Sequence, residues 1–247
     1  MIPLVFVHVF MGGSAQWEAQ RTAWPPNHPL ITLDLPGFGA NAQLPPLPTI
    51  TGYALWVIAE LRRLGIDRYH LLGHSMGGMI AQEIARHDQD RITKLVLYGT
   101  GAAGVLPGRF ETIAQSKARA QADGAQKTAR RIAATWFLDT QDAAGFEACA
   151  AIAEQTTLEA IQAGLDAMQA WSGTDFLSQI DVETCVIWGD CDRTYGWSQI
   201  AQLWDVIPDT QLAVVPGCAH APHAEKPLIF NAILQDFIYG SQSATQK

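Results

Sequence analysis

The chain has 247 residues, of which 48% are hydrophobic and 16% charged, and carries a formal net charge of −8. That length and apolar content suit one large α/β domain with room for an insertion, and they exclude a disordered chain. A diffuse acidic balance argues against nucleic acid and anionic membrane surfaces, leaving a small-molecule substrate as the expected partner of a monomer or homodimer.

The opening run Met1-Ile2-Pro3-Leu4-Val5-Phe6-Val7-His8 is apolar, with no basic stretch before it and no small-residue cleavage site after it. It reads as a strand and not as a signal peptide. No apolar run reaches the ~18–20 residues that a membrane span needs, so a soluble cytoplasmic protein is expected. The four cysteines, Cys149, Cys185, Cys191 and Cys218, form no C-x-x-C pair, and no His cluster has metal-ligand spacing. They read as free, mostly buried thiols, although Cys191 and Cys218 both fall on loops at one edge of the expected site. Neither a metal nor a cofactor is implied. The eight tryptophans exceed what bulk core needs, so some can line a pocket.

Short apolar runs alternate with helix-length segments, the signature of a parallel sheet built from βαβ units. Strands are expected at Leu4–His8, Leu30–Leu33, Tyr69–Leu72, Leu95–Tyr98, Cys185–Trp188 and Gln211–Val215. Each is apolar on successive residues, which suits strands covered by helices on both faces. Helices are expected over Thr51–Leu64, Met76–Arg86, Ser198–Val206 and Glu225–Ile238, and the proline-rich stretch Asn41–Pro48 reads as a surface loop. From about Gly101 to Ile180 the rhythm breaks. That interval is rich in Ala and Gln, with helical runs near Arg109–Ala122, Thr128–Trp136, Gly145–Ala153 and Leu158–Trp171. The expected organisation is therefore a core of residues 1–101 and 181–247 with a helical cap insertion over 102–180.

Gly73-His74-Ser75-Met76-Gly77-Gly78 follows an apolar strand and precedes a helical pattern, the setting of a nucleophile elbow. A serine on so sharp a turn sits in an unfavourable backbone conformation, and flanking glycines let neighbouring backbone approach. The following helix aims its free N–H groups at a developing oxyanion. A serine hydroxyl needs a base, and the base needs an orienting acid. His220 follows the last apolar run and is the expected base, with His223 its neighbouring competitor. Gly189-Asp190-Cys191-Asp192 ends the preceding strand, and Asp192 fits the acid better than Asp190 on spacing. The second oxyanion donor must come from the loop after the first strand, so Phe10 N–H and Met76 N–H are expected to form the hole.

The order Ser, Asp, His is that of the α/β-hydrolases, and the chain resembles that superfamily along nearly its whole length. The matching pieces are Val7-His8, Asp34-Leu35-Pro36-Gly37-Phe38-Gly39, the elbow, Gly189-Asp190-Cys191-Asp192, and His220 followed by Glu225-Lys226-Pro227. The resemblance implies an α/β-hydrolase fold, a Ser75–His220–Asp192 triad and a helical lid. The run from Ser75 to Gln82 is similar to enol-lactonases and small esterases. The Asp192-Arg193 pair is similar to enzymes that hydrolyse carbon–carbon bonds. The sequence departs from the family in three places. His8-Val9 stands where His-Gly is usual, a feature shared with hydroxynitrile lyases of this fold. Ala219 replaces the usual glycine before the histidine. The chain begins at what would be the family's third strand.

Hydrolysis of a small hydrophobic carboxylic ester or lactone is the expected activity. Carbon–carbon bond hydrolysis of a keto-acid or diketone, a lyase reaction, and ligand sensing without turnover are the alternatives. Phe10 and Met76 are expected to flank the scissile bond, with Trp136 and Trp171 of the lid as further substrate contacts and Tyr195 and Trp197 as lesser ones. His8 reads as a loop brace, and His74 as packing behind the elbow. Arg109, Arg119, Arg130 and Arg131 could steer an anion but read by default as a solvated helix face.

Overall fold

The computed structural model describes residues 1–105 and 111–240. Six strands form one parallel sheet in the order β2-β1-β3-β4-β5-β6. They are β1 (Leu4–Val7), β2 (Leu30–Leu33), β3 (Tyr69–His74), β4 (Ile92–Tyr98), β5 (Thr184–Gly189) and β6 (Gln211–Val215). All six lie where unbroken apolar runs place them. β3 continues through His74, directly into the elbow, and β4 starts three residues early, at Ile92.

Alternation along each strand feeds two separate cores. Leu4, Phe6, Leu72, Val96, Tyr98 and Ile187 face one side, together with Trp17, Phe230 and Leu234. Val5, Val7, Leu71, Leu95, Leu97 and Val186 face the other, together with Tyr53, Val57 and Ile80. The first core is covered by α1 (Glu18–Ala23), which the sequence pattern did not reveal, and α10 (Pro227–Tyr239). The second is covered by α2 (Ile50–Arg63) and α3 (Met76–Asp88). The expected helix Glu225–Ile238 is split into α9 (Pro222–Glu225) and α10, because Pro227 has no N–H to continue a ladder and instead opens the second helix. α8 (Trp197–Val206) links β5 to β6.

Between β4 and β5 run α4 (Ile113–Asp123), α5 (Ala125–Ala134), α6 (Phe146–Ala153) and α7 (Leu158–Gln169). Thr112 starts α4 with a capping box to Gln115. α4 packs on α7, and α5 on α6. Arg109 lies outside the described residues. Among those described, no helix is long and apolar enough to cross a membrane.

The strand order reverses between β1 and β3, since the chain goes outward from β1 to β2 and then returns across the sheet. Ligands of open α/β sheets bind at the carboxyl ends of strands at such a point. There the His8–Gly13 loop leaves β1 and Ser75 leaves β3.

One buried carboxylate ties the inserted helices to this frame. Glu83 of α3 is 5% exposed. It accepts from the Trp171 indole N–H at 3.1 Å and from the Thr51 hydroxyl at 2.9 Å, with the Arg86 guanidinium 3.3 Å away. Glu83→Ala is expected to leave the buried Trp171 N–H unmet and the neighbouring Arg86 Nε without its carboxylate, and to cost on the order of 3 kcal/mol in urea unfolding. A loss below ~0.5 kcal/mol, the usual range for a surface change, would contradict that role.

The frame also buries several imidazoles. Burial holds the His8 pKa down to about 4 and that of His223 down to about 3, each below the ordinary imidazole value of 6.5. The unfolded chain therefore takes up these protons first as pH falls. Their stabilising effect is complete above pH 6.5 and is lost progressively toward pH 4, for His8 alone on the order of 3 kcal/mol. The thermal midpoint is expected to be flat from pH 8 to 7 and to fall steeply from about 6.5 to 4. A midpoint independent of pH over that range would show that these rings do not stay neutral in the fold.

Candidate active site

Ser75 sits between β3 and α3 at φ 58°, ψ −115°. Such a left-handed conformation costs a non-glycine residue about 1–3 kcal/mol. The turn is clamped on both sides. Ser75 N–H donates to Tyr98 O at 2.9 Å, and Ser75 O accepts from Gly78 N–H and the Thr100 hydroxyl, each at 2.8 Å. A Cβ on Gly73 would run into the Gly77 carbonyl, and a Cβ on Gly77 into the Val7 carbonyl. Glycine is needed there because β1, β3 and α3 cross almost in backbone contact.

His220 follows β6 and is held on every side. Its N–H donates to Trp136 O at 2.9 Å, and its C=O accepts from His74 Nε2–H at 2.9 Å and from the Tyr98 hydroxyl at 3.3 Å. The ring Nδ1–H donates to Asp192 Oδ2 at 2.7 Å. Asp192 is fixed in turn, because its Oδ1 accepts from Thr194 N–H at 2.7 Å and Tyr195 N–H at 3.2 Å. This leaves His220 Nε2 as the nitrogen able to take a proton. Gly99, at the end of β4 with φ 50°, makes room for the pair, since a Cβ there would lie 3.3 Å from His220 Nδ1.

The competing residues are engaged elsewhere. His223 is buried, with Nδ1 hydrogen-bonded to the Tyr98 hydroxyl at 2.9 Å. Asp190 accepts from Gly217 N–H at 2.6 Å. His74 stacks on Tyr98 with ring centroids 4.2 Å apart, and burial and the neighbouring His220 hold its pKa well below the ordinary value. It packs behind the elbow.

The His8–Gly13 loop is braced through its own carbonyls. His8 Nδ1–H donates to Val9 O at 2.7 Å, while His8 Nε2 accepts from Leu35 N–H at 3.0 Å. Val9 O also accepts from Gly12 N–H at 2.8 Å. Asp34 holds the far end of the loop through Ser14 N–H at 2.8 Å and the Ser14 hydroxyl at 2.7 Å. Among the hydrogen bonds of the described residues, neither Phe10 N–H nor Met76 N–H has a protein acceptor.

Ser75, His220 and Asp192 line one cavity of about 710 Å³. Phe10 and Trp136 line it too, and so does Tyr195, which stacks on His220 at 5.6 Å. Two expected contacts do not. The Met76 side chain is fully buried under the elbow, and Met79, one turn on, takes its place in the wall. Trp171 is drawn to Glu83 and lies outside the lining. Trp197 packs at a tilt between Trp188 and Trp204 at the surface. All four cysteines are free, and Cys191 meets Cys218 only through a backbone bond of 2.9 Å.

Two braces were not foreseen. Glu225 accepts from Ala219 N–H at 2.8 Å and from Leu138 N–H at 2.7 Å, joining the His220 loop to the segment after α5. Arg193 donates to Phe137 O at 3.3 Å and Leu138 O at 2.9 Å. The run Glu225-Lys226-Pro227 marked the first position in the sequence, but not what it holds.

Comparison with known proteins finds relatives along nearly the whole chain. The pimeloyl-acyl-carrier-protein methyl ester esterase of Yersinia enterocolitica is 26% identical over 249 residues, covering 97% of this chain and 94% of that protein. A hydrolase of Pseudomonas aeruginosa superposes with a TM-score of 0.85 at 26% identity, over 96% of this chain and 90% of the other. The enol-lactonase of Burkholderia xenovorans shares the fold, with a TM-score of 0.87 at 22% identity, over 96% and 92%. The α/β-hydrolase-fold family model matches residues 2–227. With a six-stranded parallel sheet, an elbow at the switch point and a family match across most of its length, the chain belongs to the α/β-hydrolase fold family.

Proposed function

We propose that this chain hydrolyses a carboxylic ester or lactone through an acyl-enzyme. One observation carries the reading: the 2.7 Å bond from His220 Nδ1 to Asp192 Oδ2, in a cavity whose wall includes the strained Ser75. That bond fixes the tautomer in which Nε2 is the base.

Ser75 Oγ attacks the carbonyl carbon as its proton passes to His220 Nε2. The carbonyl oxygen becomes an oxyanion, met by the unpartnered N–H groups of Phe10 and Met76. The tetrahedral species collapses, the C–O bond to the alcohol breaks, and His220 returns the proton to the leaving oxygen. Water then enters. His220 removes its proton, the hydroxide adds to the acyl carbon, and collapse releases the carboxylic acid and restores Ser75. Helices α4–α7 act as the cap over this chemistry. The esterase activity of the Yersinia enterocolitica relative supports the same reaction class.

Ser75→Ala is expected to lower kcat on 4-nitrophenyl esters by about 10⁴-fold or more, and Asp192→Asn by about 10⁴-fold with little change in KM. An Asp192→Asn variant that keeps a tenth of the activity would remove Asp192 from the mechanism. Val9→Gly is expected to change kcat/KM by less than about tenfold, because two bonds to the Val9 carbonyl orient the loop and its side chain does not. A rise well above that would mean that valine detunes the oxyanion loop.

A further inference from the structure

Three arginines of α4 and α5 stand at or beside the cavity, and they differ in what they meet. Arg130 points away from it to Glu147 at 2.6 Å and Glu154 at 3.2 Å. Arg119 lines the wall but lies 2.5 Å from Glu111. Arg131 also lines the wall, and its Nε is buried with no hydrogen-bond acceptor among the described residues. Asp123 Oδ2 stands 3.9 Å from that Nε, beyond hydrogen-bond reach, while Asp123 Oδ1 accepts from Lys127 at 2.9 Å.

One turn before Arg131, Thr128 is 1% exposed and lines the same wall, and its hydroxyl too has no partner. Residues three apart share a helix face, and both side chains line the cavity from one stripe of α5. Buried donors left unmet are unusual and need an explanation. The rest of the wall is divided: Val9, Phe10, Met79 and Leu165 make an apolar side that also holds Ser75.

We propose that Arg131 and Thr128 form an anion subsite, and that the substrate is an ester or lactone bearing a second, free carboxylate. The proposal rests on the hydrolase reading above and names the substrate class for it. One guanidinium N–H and one hydroxyl match the two oxygens of a carboxylate. A single guanidinium near Asp123 suits a monoanion better than a phosphate dianion. The apolar side takes the methylenes between the reacting carbonyl and the distal carboxylate.

The test compares 4-nitrophenyl hemiesters of glutaric, adipic and suberic acids with 4-nitrophenyl esters of the monocarboxylic acids of equal length. Wild type is expected to favour at least one hemiester by about tenfold or more in kcat/KM. Arg131→Gln and Thr128→Val should each cut that preference by about 10- to 100-fold, mainly through KM. Arg131→Lys should keep part of it, and Arg130→Gln all of it. Neutral esters turned over with no hemiester preference, or a preference untouched by Arg131→Gln, would overturn the subsite and leave the hydrolase reading standing. If no ester of either kind is hydrolysed, the hydrolase reading fails, and calorimetry of glutarate on Ser75→Ala protein then decides the subsite alone. Glutarate binding weakened at least tenfold by adding Arg131→Gln supports it, and equal or absent binding overturns it.

Discussion

The hydrogen bond from His220 Nδ1 to Asp192 Oδ2 is the contact around which the rest of the molecule is arranged. The two residues come from loops after different strands, and each is useful only at one orientation. The protein therefore fixes both on the outside of the pair. Asp192 is held by backbone N–H groups of its own turn. The His220 backbone is held by His74, Tyr98 and the Trp136 carbonyl. Glu225 and Arg193 then lock the same neighbourhood to the segment after α5. A hydrogen bond between two exposed side chains contributes little by itself in water. Buried and surrounded by satisfied groups, it becomes a fixed direction for one proton.

The second constraint is steric. Ser75 can be presented only where strand, turn and helix nearly touch, and Gly73 and Gly77 are where they touch. The same crowding carries β1 alongside the elbow, so the Phe10 loop arrives beside the N-terminus of α3 without further machinery. Val9 fits this arrangement because the loop is anchored to His8 and Gly12 through a backbone carbonyl, which any residue at this position supplies. The unusual residue beside His8 is thus compatible with a formed loop.

The sheet and the clustering of the candidate triad were legible in the sequence because both rest on local patterns. Strands buried on both faces write themselves as unbroken apolar runs, and the elbow, acid and histidine each occupy a short motif after a strand. The cap was legible as helices but not as a surface. Helical periodicity shows which residues share a face, and says nothing of what that face meets. Trp171 looked like a pocket wall, but Glu83 of α3, distant in sequence, claims its indole. Met76 looked like a contact because its N–H must face the oxyanion, yet its side chain points into the core and Met79 takes the wall. The arginines of α4 and α5 looked alike. Only tertiary packing separates Arg130, which is paired with two glutamates, from Arg131, which faces the cavity. The brace at Glu225 was hidden for the same reason, since its partners Ala219 and Leu138 lie on two different segments.

The central claim is that Ser75 is an activated nucleophile. A fluorophosphonate reacts only with a serine whose proton is taken by a working base and whose oxyanion is received. Labelling wild-type protein and mapping the adduct by peptide mass spectrometry tests this directly. The account predicts stoichiometric, single-site modification of Ser75, lost in His220→Ala protein that remains folded. A wild-type protein that stays unlabelled, or that carries the adduct on another residue, would contradict it.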